Sequence, residues 1–122
     1  MNGFEGLAVW KECRNFRKEI SKLTKTFPLE EKYRIVDQLL RSSRSVTANL
    51  AEGYGRYHYL SNINFCYQAR GSLYEALEHL ICAYDESYID QIQLDVLRKK
   101  FNHCLKLLNG YILYLKNRKK ED

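Results

Sequence analysis

The segment Arg41–Arg56, RSSRSVTANLAEGYGR, is the most informative part of this chain. Small side chains stand in it where an amphipathic helix ordinarily carries large ones: Ser42, Ser43, Ser45, Thr47, Ala48 and Ala51. The glycines Gly53 and Gly55 follow, and a glycine is typical of the position just after a helix. The segment therefore predicts a helix that packs closely against its neighbours and then ends at the glycine pair.

Apolar residues at steps of three and four continue on both sides of this segment, which is the pattern of amphipathic helices. They predict helices at about 7–26, 28–53, 61–86 and 90–117, all in a single domain of residues 1–122. Pro28 suits the first turn of the second helix, and Trp10 flanks the apolar stripe of the first. Gly71 interrupts the third and predicts a close approach of two backbones. Four amphipathic helices with short links favour an all-α, antiparallel up-down-up-down four-helix bundle.

The composition excludes several classes of protein. The chain has 122 residues with one proline and six glycines, which argues against disorder and against a turn-rich β fold. It has no apolar run close to the ~20 residues of a membrane span, and its first residues do not resemble a signal peptide. The four cysteines form no CxxC pair and are predicted to be reduced core residues. We expect a cytoplasmic protein that does not bind membranes.

No pattern of catalytic or metal-ligating residues emerges. Each of the three histidines lies beside core or link residues, and the acidic residues near His79 have no counterpart on another helix. The Gly53–Gly55 turn is not a phosphate-binding loop, because no Gly-Lys-Ser/Thr sequence follows it. We therefore predict no catalytic residues, no metal, no cofactor and no enzymatic activity.

The basic residues suggest a binding role instead. The net charge is +5, with an acidic excess confined to residues 61–89 and a basic excess on either side. Such a distribution can attract nucleic acid or an acidic protein surface, and it can also mediate self-association.

Four arginines in and after the second helix are the candidate contact residues: Arg34, Arg41, Arg44 and Arg56. The first three are spaced by seven and three, which places them on one side of the predicted helix. One interpretation pairs them with carboxylates, within a subunit or between subunits; the candidates are Asp37, Glu52, Glu75 and Glu78. The other interpretation is a surface that contacts phosphates, and the sequence leaves both open.

Tyr54, Tyr57 and Tyr59 surround Arg56 in the link after the second helix. Aromatic rings interleaved with a cation can stack on unpaired nucleobases. The alternative is that these tyrosines pack against the end of the bundle.

Several stretches of the chain resemble the bacterial four-helix-bundle proteins encoded by intervening sequences of 23S ribosomal RNA. They are Leu7–Trp10, Phe27-Pro28 followed by Glu31, the segment Arg41–Arg56, and Ala69–Glu75. The resemblance spans about Leu7 to Leu115. It makes Trp10, Pro28, Asn49, Glu52, Gly53 and Gly71 its structural signature.

The resemblance implies a left-handed antiparallel bundle that assembles as a ring-like homopentamer. It also implies a link to nucleic acid, because the accessory variability determinant of diversity-generating retroelements is a relative that binds nucleic acid beside a reverse transcriptase. It supplies no catalytic residues. The chain departs from the family pattern at Ser42 and Ser43 and in its tyrosine-rich link, which leaves the choice of partner open.

Two functions follow as hypotheses. The first is a non-enzymatic, oligomeric accessory protein that binds RNA or DNA through basic surfaces. The second is a protein-interaction scaffold whose arginines hold the subunits together.

Overall fold

Four α-helices form the body of the protein. The computed structural model describes residues 3–121, without the side chain of Glu121, so the ends of the predicted 1–122 domain lie outside the described residues. The helices are α1 (Ala8–Thr24), α2 (Ile35–Gly55), α3 (Tyr59–Asp85) and α4 (Gln91–Glu121). Short 3-10 turns at Phe4–Gly6 and Leu29–Glu31 precede α1 and α2, and the described residues contain no strand. The all-α, four-helix prediction is confirmed.

The helices enclose one apolar core in a cyclic order. Each helix packs against the one before and the one after it in the chain, and α1 also packs against α4, so α1 and α3 lie diagonally opposite. Ser45 of α2 contacts Ser72 of α3, and Gly53 of α2 lies against Asn62 of α3. Residue numbers rise along one helix as they fall along the other, so α2 and α3 are antiparallel. The largest fully buried side chains come from all four helices: Phe16, Ile20, Leu39, Leu50, Leu73, Leu80 and Leu108.

The second helix begins at Ile35, so the prediction of a start at Pro28 is wrong. Pro28 is extended, with ψ at 142°. The side chain of Glu31 caps α2 from outside, because one of its oxygens accepts the Ile35 N–H at 3.3 Å. Its other oxygen accepts the Tyr88 hydroxyl at 2.9 Å. A contact with the distant 86–90 connection thus holds this segment out of the helix.

The third helix begins at Tyr59, slightly before the predicted boundary at residue 61. The connection 56–58 turns at Tyr57, whose φ of 59° lies in the left-handed region. That conformation was expected of the glycine pair, but α2 continues through both glycines to Gly55. The end of α2 is therefore set by a tyrosine in a conformation that bulky residues rarely adopt.

The two signature glycines have different environments. A Cβ atom at Gly53 would lie 2.7 Å from Asn62 Oδ1 and 2.8 Å from the Cβ of Phe65, so α2 and α3 approach each other closely there. A Cβ atom at Gly71 would meet nothing within 4 Å. The prediction that Gly71 marks a close approach is therefore wrong, since this residue is exposed on α3.

Hydroxyl and amide groups complete the contact between α2 and α3. The hydroxyls of Ser45 and Ser72 are hydrogen-bonded across it at 2.8 Å. Asn49 donates its Nδ2 to the Ser45 carbonyl at 2.9 Å. Ser42 and Ser43 are buried and donate to carbonyls of their own helix. The small residues of Arg41–Arg56 thus satisfy their polar groups while they keep the helices close.

Candidate anion-binding groove

The predicted contact arginines differ in their partners. Arg41 pairs with Asp37 at 3.0 Å and Arg56 pairs with Glu52 at 3.1 Å, each one turn away on the same helix. These pairs are well exposed, and such pairs contribute only ~0.3–0.5 kcal/mol. For these two arginines, the structure has the intrahelical carboxylate partner that one interpretation predicted.

Arg34 and Arg44 have no carboxylate partner among the described residues. Arg34 lies just before α2 as its N-cap residue, with its side chain exposed. Arg44 lies in the middle of α2 and borders a groove that α2 forms with α1. Of the four predicted contact arginines, only Arg44 lines this groove.

The groove between α1 and α2 has a volume of about 540 Å³. It is lined by Phe4, Trp10, Arg17, Lys18, Ser21, Arg44, Thr47, Ala48 and Ala51. Three of these side chains are cations and two are hydroxyls, and none is a carboxylate. Cations and hydroxyls are the groups that proteins use to contact phosphate oxygens.

Hydrogen bonds orient the side chain of Arg17 on α1. Arg17 donates its Nε to Thr47 Oγ1 at 3.3 Å, and Thr47 donates to the Arg44 carbonyl at 3.1 Å. Arg17 is therefore tied to α2 beside Arg44, while no carboxylate of the described residues pairs with it. A guanidinium held by a neutral hydroxyl keeps its full charge available for an anion.

Two aromatic rings are part of the groove lining. Trp10 is buried, and the ring of Phe4 meets it edge-on at 5.2 Å between centroids. The guanidinium of Arg14 lies over Trp10 at 5.6 Å, which adds a further cation beside the groove. Ala48 is exposed on the groove wall rather than packed between helices, so its small size keeps the groove open.

Sequence reasoning missed the basic residues of the first helix. Arg14, Arg17, Lys18 and Ser21 recur at helical spacing beside the apolar stripe of α1. That spacing was available as a signal. What the sequence did not contain was the pairing of this face with Arg44 across the groove.

The predicted stacking residues Tyr54, Tyr57 and Tyr59 converge at one end of the bundle. They line a pocket of about 310 Å³, and Tyr111 and Tyr114 of α4 join them there. Tyr57 is 88% exposed, whereas Tyr54 and Tyr59 are half-buried. The bundle end thus gathers aromatic residues from three helices and one connection.

The cysteines and histidines form no reactive cluster in the described part of the chain. All four thiols are free, and three of them are buried. Burial raises the pKa of Cys66 to about 12, which keeps this thiol protonated and unreactive. His79 pairs with Glu75 and His103 with Glu12. Within residues 3–121, no three His, Cys, Asp or Glu side chains converge as metal ligands, and no helix has the length and apolarity to cross a bilayer.

Comparison with known proteins places the chain in a family. The sequence pattern of the family described as 23S rRNA-intervening sequence protein matches residues 5–110. The chain belongs to this family. The family resemblance seen in the sequence is therefore confirmed. The groove residues other than Phe4 lie within the matched range, whereas Tyr111, Tyr114 and Leu115 of the tyrosine pocket follow it.

A solved structure has the same fold. It is the crystal structure of a protein with unknown function from the S23 ribosomal protein family of Bacteroides thetaiotaomicron. The two chains superpose with a TM-score of 0.79 at 25% sequence identity, over 86% of this chain and 98% of the other. No curated protein matches this chain.

Proposed function

We propose that this protein is a non-enzymatic accessory protein that binds RNA or DNA by holding phosphates in the groove between α1 and α2. The observation that carries the proposal is the groove lining, where Arg17, Lys18 and Arg44 meet without a carboxylate. The family description names a ribosomal RNA sequence, so structured RNA is the first nucleic acid to test. The free thiols are in keeping with a cytoplasmic location.

The mechanism is electrostatic. Each cation that contacts a phosphate releases condensed counterions, so affinity falls as salt concentration rises. The hydroxyls of Ser21 and Thr47 lie among the cations and offer hydrogen bonds to the same oxygens. Contacts of this kind position a backbone without reading its sequence, and we expect weak sequence preference.

Fluorescence anisotropy with labelled RNA at several salt concentrations tests the proposal. We expect the logarithm of the association constant to fall linearly with the logarithm of salt concentration. Arg44→Gln and Lys18→Gln should each reduce that slope by about 0.7 for a single strand. The matched control is Arg41→Gln, which removes an arginine already paired with Asp37 on the same helix. Salt-independent binding, or groove variants that bind like the wild type, would contradict the proposal.

Self-association is a second candidate, and the charge of α3 favours it. Glu75, Glu78 and Asp85 are exposed on α3, which lies diagonally across the bundle from α1. The basic groove of one copy could therefore receive the acidic face of the next. A contact between two different surfaces repeats head to tail, and it closes into a ring when the rotation between copies divides a full turn evenly. For this candidate we propose a homopentamer acting as a protein-interaction scaffold.

Charge reversal distinguishes the two functions. If the groove is a subunit contact, Arg44→Glu should dissociate the assembly in light-scattering measurements, and a compensating Glu78→Lys should restore it. If the groove holds phosphates, Arg44→Glu should leave the assembly intact and lower RNA affinity. A protein that is monomeric at every concentration would overturn the scaffold candidate.

A further inference from the structure

We propose that the tyrosine-lined pocket at the end of the bundle binds one unpaired nucleobase, so that the protein prefers single-stranded to duplex nucleic acid. The inference rests on the proposed function, because the groove supplies the phosphate contacts next to the bound base.

The pocket lies where α1 and α3 begin and α2 ends, against residues 111–115 of α4. Its volume of about 310 Å³ is at the lower end of the range for small-molecule sites. It is lined by Leu7, Tyr54, Tyr57, His58, Tyr59, Asn62, Tyr111, Tyr114 and Leu115. None of these side chains is a carboxylate, so no lining group repels the phosphates of the nucleotide whose base is bound.

Aromatic faces are available in the pocket. The rings of Tyr111 and Tyr114 are nearly parallel, with an interplanar angle of 12° and centroids 6.3 Å apart. Tyr57 holds an exposed ring at the pocket in spite of its left-handed φ of 59°. That conformation is strained for a bulky residue, and residues held in such conformations often cluster at functional sites. Planar rings stack on every nucleobase, whatever its identity.

A buried amide orients one hydroxyl of the pocket. Asn62 is 7% exposed and donates its Nδ2 to the Tyr111 hydroxyl oxygen at 3.1 Å. The hydroxyl proton of Tyr111 has no acceptor among the described residues, so it can be donated to a ligand. Burial raises the pKa of Tyr111, which keeps this group a donor at neutral pH. Carbonyl oxygens and ring nitrogens on the edge of a base are matching acceptors.

The pocket continues the groove. Ala51 lines the groove and Tyr54 lines the pocket, and these residues lie one turn apart at the end of α2. Likewise, Phe4 lines the groove and Leu7 lines the pocket, at the two ends of the first 3-10 turn. A strand whose phosphates follow the groove therefore reaches the pocket, and aromatic platforms beside a basic groove are typical of single-strand binding. A duplex would have to unpair and unstack a base to use the pocket.

The experiment compares a short single-stranded RNA that carries one 2-aminopurine with the duplex of the same sequence. We expect the wild type to quench 2-aminopurine fluorescence through stacking and to bind the single strand more tightly. Tyr57→Ala should lower single-strand affinity about tenfold and relieve the quenching. Duplex affinity should not change, and Tyr57→Phe should retain the wild-type behaviour. The matched control is Tyr33→Ala, since Tyr33 is 83% exposed at the other end of α2.

The outcomes separate the two proposals. If RNA binds with the expected salt dependence but Tyr57→Ala and Tyr111→Phe leave quenching and single-strand preference unchanged, the pocket inference is overturned and the groove stands. If Tyr33→Ala weakens binding as much as Tyr57→Ala, the effect is not specific to the pocket and the inference is also overturned. If neither RNA binds at low salt, the proposed function itself fails, and the inference fails with it.

Discussion

Gly53 has no room for a side chain, and this follows from its contact with α3. A Cβ atom there would lie 2.7 Å from Asn62 Oδ1, closer than real Cβ contacts. Asn62 also holds the Tyr111 hydroxyl, so a shift of this amide would disturb the pocket as well as the helix contact. One missing side chain thus affects both the bundle and the candidate base site.

Gly53→Ala should therefore destabilise the protein, by about 1–3 kcal/mol, the usual effect of overpacking. Gly71→Ala is the matched control, because a Cβ atom there meets nothing within 4 Å. In an exposed helix interior alanine is favoured over glycine by ~1 kcal/mol, so the control should be stabilising. Urea denaturation followed by circular dichroism measures both. A Gly53→Ala variant that is as stable as the wild type, or more stable, would show that α2 and α3 do not approach as described.

The first turns of helices α2 and α4 are capped in different ways. The start of α4 is local in the sequence, because Asp90 and Gln93 cap each other. The Gln93 N–H donates to Asp90 Oδ1 at 2.7 Å, and the Asp90 N–H donates to Gln93 Oε1 at 2.9 Å. The start of α2 depends on Tyr88, which holds Glu31 from another connection. The sequence accordingly predicted the start of α4 well and that of α2 poorly.

Asp90→Ala should lower the free energy of unfolding by about 1 kcal/mol, the typical loss for an N-cap residue. Asp85→Ala is the control, since Asp85 is an exposed acid at the last position of α3. The helix dipole disfavours an acid there, and its removal should be neutral or slightly stabilising. Thermal melts of both variants check the pair. A loss for Asp85→Ala as large as that for Asp90→Ala would argue against the capping explanation.

For the whole molecule, the buried ionisable groups are thiols and a phenol that stay neutral in the folded state. Burial raises the pKa of Cys66 to about 12 and raises that of Tyr111. The hydrogen bond with Cys104, together with burial, raises the pKa of Cys13. In the unfolded chain a thiol ionises near pH ~8.5. Unfolding at alkaline pH therefore releases protons, and the stability contributed by these groups declines as pH rises.

Below pH ~8.5, the contribution of Cys66 to the free energy of unfolding should not depend on pH. It should then fall as pH rises toward 12, the folded-state pKa, with a slope of up to about 1.4 kcal/mol per pH unit. Cys66→Ser should flatten this decline. Cys82→Ser is the comparison and should flatten it less, because Cys82 is half-exposed. Denaturant midpoints measured across this pH range give the slopes. A wild-type slope unchanged by Cys66→Ser would contradict the assignment.

The number of helices, the all-α class and the family could be predicted from the amino-acid sequence alone. Helical periodicity is a local property of the chain, and the Arg41–Arg56 signature is contiguous, so both are legible without coordinates. The two candidate sites, in contrast, emerged from the packing of the helices. The groove joins Arg17 and Lys18 of α1 to Arg44 of α2, and the pocket joins Tyr57 to Tyr111 of α4. Such pairings depend on which helix faces meet across the bundle, and that is set by the packing of all four helices together.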